Sequence, residues 1–415
     1  MNRPLNPFDP SHPIAPSRFV GRAKEIGELV AALQHAKNGR PRHFLITGDR
    51  GAGKTSFLDY SRKTAADRTQ GFNFLVVDFA VDRHTTRLDL ARTLHEELSK
   101  ILSLHAPLKD MLGRAWGFIQ KFEVAGVSFR ADEPVPQNHR DICRNVADSL
   151  RDVVDLVCID IPTGEQRLGY DGILLLVDEL DQASEELDIG TFFKLLLERL
   201  NSIGCHQVVV GVAGLASSTD VLVKSHKSSL RIFDELALDG LKKDDVAELL
   251  ALAELSVRGS GSENFCFMSD AKDAILQFSG GHAHFVHQFG YCAFEKACLA
   301  ESADYSVHAV HVWDGAFERR GALDLIGDMY FQDAYHEIEC DEVALSVLDH
   351  LCENPGERAL VIRLCAELHM ENHLVQIAAT RLVELGFLNV DKEDGSFGVK
   401  HACFAYWLKA KRPRS

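Results

Sequence analysis

Apolar and polar positions follow two regimes along this chain. Over roughly the first 240 residues, short apolar runs read as strands: His43 to Ile46, Phe72 to Ala80, Gly172 to Asp178 and His206 to Ala213. Amphipathic stretches with helical spacing separate them, at about Ala23–Ala36, Leu88–Leu102, Arg140–Cys158 and Ile189–Leu200. Strands apolar at nearly every position are buried on both faces, so their alternation with helices predicts an α/β fold on a parallel sheet. From Leu241 the strand signal disappears. Helices are expected at Lys242–Leu255, Asp270–Ser279 and His284–Ala300, with two more up to about Tyr335. The last segment reads helix, helix, helix, then two short strands turning at Glu393-Asp394-Gly395-Ser396, the order of a winged helix.

Two stretches break the pattern. Pro4, Pro7, Pro10, Pro13 and Pro16 recur every third residue, which favours an extended arm over a helix. Between Pro107 and Gln137 the alternation stops, and Phe122 to Arg130 alternates around Gly126 like a small inserted hairpin. The expected organisation is an arm (1–22), an α/β core (23–240, with the insertion at about 107–137), a helical lid (241–338) and a winged helix (339–415).

The first strand runs into Gly48-Asp49-Arg50-Gly51-Ala52-Gly53-Lys54-Thr55-Ser56, of the form G-x-x-x-x-G-K-T followed by serine. Strand, glycine loop and helix in that order make a phosphate cradle: successive N–H groups point inward and the helix N-terminus adds positive charge. Lys54 is expected to reach the β- and γ-phosphates of ATP, and the Thr55 hydroxyl to ligate Mg²⁺. The apolar run Gly172 to Val177 ends in Asp178-Glu179-Leu180-Asp181. Asp178 is expected in the Mg²⁺ shell and Glu179 as the general base for an attacking water, which together predict ATP hydrolysis. Asp181 is read as a cap on the following helix rather than a metal ligand.

Composition narrows the setting. A chain of 415 residues has room for two or three domains, and 46% hydrophobic with 26% charged residues is ordinary for a globular protein. Ten scattered cysteines with no C-x-x-C pair, among them Cys158, Cys205, Cys292 and Cys365 in apolar contexts, read as buried reduced thiols. No signal peptide and no membrane-length apolar run is evident, so the expected location is cytoplasmic, without a membrane partner. The net charge of −16 argues against broad nucleic-acid binding, which requires neutralising phosphates.

With these residues in hand the chain resembles AAA+ ATPases of the origin-recognition and STAND type. The resemblance rests on Asn6-Pro7-Phe8, the Phe19-Val20-Gly21-Arg22 box, the phosphate loop, the Asp178–Asp181 quartet and the winged-helix tail. Two further segments support it, Ser225 to Phe233 and Gly280 to Gly290. It implies that Val20, Gly21 and Arg22 lie against adenine and ribose, with the proline arm as part of that wall. It also places Arg231 where such proteins carry an arginine finger for a neighbouring subunit's γ-phosphate, and hence implies an ATP-dependent homo-oligomer. The alternative for Arg231 is a solvated residue, or one paired with Asp234 or Glu235.

Two positions depart from the family pattern. The fourth strand, Val210-Gly211-Val212-Ala213-Gly214-Leu215, lacks a polar sensor unless Ser217 or Ser218 substitutes. The lid segment Gly281-His282-Ala283-His284 has neither the usual proline nor arginine. His282 or His284 is left either as a nucleotide contact or as a structural histidine at a helix start. A metal reading of His282, His284 and His287 lacks acids or cysteines at ligand spacing. Slow turnover fits these departures better than fast.

From Asp341 onward nine Lys and Arg face eleven Asp and Glu, and the expected recognition helix, about His373 to Leu385, offers only Gln376, Thr380 and Arg381. A separately encoded protein partner is therefore preferred to DNA, although Lys409, Lys411, Arg412 and Arg414 form a short basic tail. The expected function is an ATP-driven switch in a defence or signalling system. The alternatives are a DNA-binding initiator or transposition ATPase and a non-hydrolysing scaffold.

Overall fold

The computed structural model describes residues 4–12, 19–102, 139–158, 169–225, 229–259, 264–300 and 306–411. The hairpin expected at 122–130 lies outside them. Two compact units result: Ala15–Asp239, and Gly240–Ser415 together with Met1–Ile14.

The first unit is built on five parallel strands: β1 (His43–Thr47), β2 (Phe74–Ala80), β3 (Gly172–Asp178), β4 (Val208–Gly214) and β5 (Phe233–Ala237), in the order β2-β3-β4-β1-β5. Alternate side chains of β3 feed opposite cores. Ile173, Leu175 and Val177 join a cluster with Leu90, Leu94, Val146, Leu150, Phe192 and Leu196 from the helices α3 (Arg87–Leu102), α4 (His139–Cys158) and α5 (Ile189–Ser202). Leu174 and Leu176 join the other cluster, with Leu29 and Leu33 of α1 (Ala23–Lys37) and Phe57 of α2 (Lys54–Ala65). Each fully buried aliphatic side chain of this kind contributes about 1.5–3 kcal/mol, which is why a continuous apolar run is tolerated only as a central strand. One helix went unpredicted: α6 (Ser218–Ser225), a short segment without a strong apolar stripe.

In the second unit three helices lead, α7 (Lys243–Gly259), α8 (Ser269–Ser279) and α9 (Ala283–Leu299). Next come α10 (Ala309–Phe317), α11 (Ala322–Tyr330) and the single turn α12 (Gln332–His336). The C-terminal segment runs α13 (Glu342–Glu353), β6 (Arg358–Ala359), α14 (Val361–Leu368), α15 (Asn372–Glu384), β7 (Leu388–Val390), β8 (Phe397–Val399) and α16 (Ala402–Lys411). The three strands form an antiparallel sheet in the order β6-β8-β7. Three elements escaped the sequence reading here, the single turn α12, the two-residue β6 and the terminal helix α16.

The proline arm packs within this second unit. Phe8 is buried, edge-on to Phe267 and His287 at centroid distances of 5.8 and 5.7 Å. The Asn6 side-chain amide donates to the Tyr291 carbonyl (3.2 Å) and to Glu295 Oε1 (2.9 Å) on α9. Close approach explains Gly290 inside that helix, since a Cβ there would lie 2.7 Å from the Phe8 ring. In an open helix Gly→Ala is favourable by about 0.5–1 kcal/mol, so the expected sign is inverted at this site. Gly290→Ala is expected to expel Phe8 and raise hydrogen exchange across residues 4–12, while unchanged protection there would refute the docking.

All ten cysteines are free thiols, as the spacing predicts, but their burial is uneven. Cys205 and Cys292 are buried, Cys158 and Cys365 only partly, and Cys340 is exposed.

Candidate nucleotide site

The site is assembled at the carboxyl edge of the parallel sheet, where a helix N-terminus and two strand ends meet. The phosphate loop leaves β1 after Thr47, with Gly51 and Gly53 in left-handed conformation (φ 77° and 98°). Helix α2 begins at Lys54, so its first-turn N–H groups lack intrahelical acceptors and point at the space in front of the loop. Lys54 Nζ donates to the carbonyls of Gly48 (3.1 Å) and Asp49 (2.9 Å). Burial lowers its pKa, opposed by the nearby carboxylates of Asp181, Asp178 and Asp49.

Strands β1 and β3 are separated by β4, a gap of about 10 Å for two strand spacings. Loop and helix close it: the Thr55 hydroxyl donates to Asp178 Oδ2 at 2.8 Å. A hydroxyl and a carboxylate at this distance, beside a cluster of N–H donors, are the hard oxygen donors that suit Mg²⁺ on a phosphate. Loop, lysine, hydroxyl and acid thus fit ATP with Mg²⁺. Glu179, the next residue, is exposed and held at φ 59°, and its N–H donates to Asp178 Oδ1 at 2.8 Å. A left-handed non-glycine residue costs about 1–3 kcal/mol and recurs at functional positions.

Asp181 corrects the sequence reading. It lies in the turn Leu180–Gln182, and its Oδ1 accepts from the Leu215 N–H (2.8 Å) just past β4, while Oδ2 accepts from the Gln182 amide (2.9 Å). The next helix, α5, has Asp188 at its N-cap position instead. Asp181 therefore ties the end of β3 to the end of β4. Beside it sits the buried hydroxyl of Ser218, with no hydrogen-bond partner among the described residues. A Cβ on Gly214 would lie 2.0 Å from Ser218 Oγ and 3.1 Å from Asp181 Oδ1, so glycine is required there. Sequence reasoning also missed Thr47, whose hydroxyl donates to Glu235 Oε1 on β5 at 2.8 Å.

The entry box approaches the same loop. Arg22 is buried and donates to the Ala52 carbonyl at 3.2 Å; Gly21 turns at φ 70°, and Phe19 stacks on Tyr60 of α2 at 5.5 Å. Arg50 is exposed on the loop. Residues 19–22 are thus brought together with the phosphate loop, whereas the arm residues 4–12 contact α9.

Arg231 stands at the other edge of the sheet. Strand β5 pairs in parallel with β1 in the register His43 with Phe233 through Thr47 with Ala237. Arg231 precedes β5, whereas the phosphate loop follows β1. Five residues at about 3.3 Å each put roughly 17 Å between those edges, beyond an arginine's reach. The carboxylates considered as its partners are engaged elsewhere, Asp234 with Arg42 at 2.9 Å and Glu235 with Thr47. Arg231 is exposed.

His282 stands at the N-cap position of α9. Its ring lies 3.9 Å from that of Phe285, with Tyr330 at 5.8 Å and His401 at 5.2 Å, in an aromatic cluster of the second unit. His284 also lies near Tyr330, at 5.4 Å, whereas His287 meets Phe8.

Sheet order, phosphate loop and acidic strand end give the first unit the P-loop NTPase fold of the AAA+ type. Residues 18–210 match the AAA ATPase domain family. Over 98% of its length the chain is similar to the Aeropyrum pernix ORC2 protein in ADPNP–ADP complexes, at 13% identity and a TM-score of 0.53, covering 96% of that chain. The ADP form of that protein gives a TM-score of 0.51 at 13% identity, over 97% of this chain and 96% of the other. At such identity the likeness concerns the fold. No curated protein matches the chain. Among the described residues no helix is long and apolar enough to cross a membrane.

Proposed function

We propose that this chain is an ATP-binding, slowly hydrolysing AAA+ switch whose nucleotide state governs its self-assembly. The observation that carries this reading is the 2.8 Å contact between Thr55 and Asp178, which joins the phosphate loop to the acidic strand end. The ORC2 protein of like fold, solved with ADPNP and ADP, supports it. ATP with Mg²⁺ supplies the anhydride bond and the cation that neutralises charge on the transferring phosphoryl group. Thr55 and Asp178 hold the metal, and Lys54 turns from the loop carbonyls to the phosphates. Glu179 orients water and takes its proton. Slow turnover is supported by the end of β4, which offers Asp181 and Ser218 but no polar side chain of its own. The position of Arg231 at the far edge of the sheet supports action on a neighbouring subunit, and therefore assembly.

Lys54→Ala is expected to abolish binding of a fluorescent ATP analogue while leaving circular dichroism unchanged. Undiminished binding by that variant would sink the proposal.

A further inference from the structure

The C-terminal unit carries an apolar surface that the nucleotide reading does not use. A groove of about 510 Å³ opens between the start of α14, the outer face of α15 and the β7–β8 wing. Leu360, Ile362, Val383, Val390 and Phe397 line it, with Gln376 on one wall. Ile362 is 73% exposed, Leu360 47% and Val390 43%. Single exposed aliphatic residues are ordinary, but several around one groove mark an interaction surface.

Charge decides what fits it. Three of the four lining segments are followed or preceded by an acid: Glu371 before Asn372, Glu384 after Val383, Asp391 after Val390 and Asp394 before Gly395, while Leu360–Ile362 is followed by Arg363. The arginines of this face are occupied within the unit. Arg363 pairs with Glu367 (2.9 Å), Arg381 donates to the Glu337 carbonyl (2.9 Å), and Arg358 donates to Asn389 Oδ1 (2.7 Å) and the Ser396 carbonyl (2.8 Å). Gln376 and Thr380 bond to each other (3.3 Å). In the terminal helix Lys411 lies over the rings of Trp407 and Tyr335, at 4.8 and 5.3 Å. A DNA-reading surface needs free cations for phosphates; the exposed Lys392 of the wing stands between Asp391 and Glu393, whose charges oppose a phosphate there.

We propose that this groove binds an amphipathic helix of a separate protein, apolar on one face and flanked by Lys or Arg. Two or three aliphatic side chains of that helix would fill the groove, and its cations would meet the acidic rim, a helix-in-groove mode. This names the partner surface of the switch but does not depend on ATP chemistry.

The test uses the full chain and fluorescence anisotropy, with a short Leu/Lys amphipathic helix, its Leu/Glu counterpart and duplex DNA as probes. Binding of the Leu/Lys helix alone is expected, weakened by about tenfold or more in Ile362→Glu. Leu299→Glu, at an exposed apolar site on α9, is expected to leave it unchanged. Glu384→Lys with Glu371→Lys is expected to weaken it without touching the groove floor, which keeps the test valid should Ile362→Glu fold poorly. Hydrogen exchange should slow within residues 360–397. Equal loss in Ile362→Glu and Leu299→Glu, or no binding, would overturn the proposal. So would duplex DNA binding that Ile362→Glu removes, which would assign the face to nucleic acid, or a change of oligomeric state in that variant alone, which would assign it to a second copy.

Discussion

Glu179→Gln is expected to lower ATP turnover by about 10²–10⁴-fold while leaving ATP affinity within a few-fold of the parent. The substitution keeps the shape and the left-handed backbone at φ 59°, so the turn after β3 survives. What it removes is the capacity to accept a proton from water. Affinity depends instead on Lys54, on the first-turn N–H groups of α2 and on the Thr55–Asp178 pair, all of which remain. Single-turnover hydrolysis beside equilibrium binding separates the two. Turnover reduced less than tenfold would mean that another group activates the water, and Asp181, between the ends of β3 and β4, would be the next residue to change. With hydrolysis blocked, the same variant should accumulate the ATP-bound assembly, visible as a larger mass with ATP than with ADP.

The second large effect is expected at Arg231. Its replacement by alanine should lower turnover by about 10³–10⁵-fold, the range for removing an arginine that stabilises phosphoryl-transfer charge. The parallel register of β5 with β1 separates Arg231 from its own phosphate loop by the length of the strands. On the proposed function, its partner site is that of a neighbouring subunit. Mixing gives the decisive result. In an assembly of Arg231→Ala and Glu179→Gln subunits, an intact Glu179 in one subunit can meet an intact Arg231 from the other. Turnover should recover in the mixture although each variant alone is inactive. A mixture no more active than its components would place Arg231 outside the chemistry, as a surface residue.

Much of the first unit was legible because its information is local. The run Gly172 to Val177 could only be a central strand, and Asp178 and Glu179 had to stand at its end. Lys54 and Thr55 were readable because a phosphate cradle is made by consecutive residues. Less was legible where a residue's role depends on another segment far along the chain. The Asp181 carboxylate looked like a helix cap from its neighbours, yet its acceptor geometry is satisfied by Leu215, which only strand order brings beside it. His282 could be read from its neighbours either as a nucleotide contact or as a structural histidine at a helix start; it stands at the N-cap of α9, and only the fold brings Tyr330 and His401 beside it. The short helix at 218–225 and the two-residue strand β6 are too brief to show a period.

The sequence by itself determined the parallel sheet, the phosphate loop and the acids opposite it, because period and motif are properties of neighbouring residues. Only the tertiary structure decided three further matters. The arm anchors on α9 through Phe8 and Gly290, Arg231 stands at the edge of the sheet away from its own loop, and Gln376, Thr380 and Arg381 of α15 bond inside their unit. Each depends on which distant segment lies alongside, and that is set by strand order, register and close packing rather than by any stretch of sequence alone.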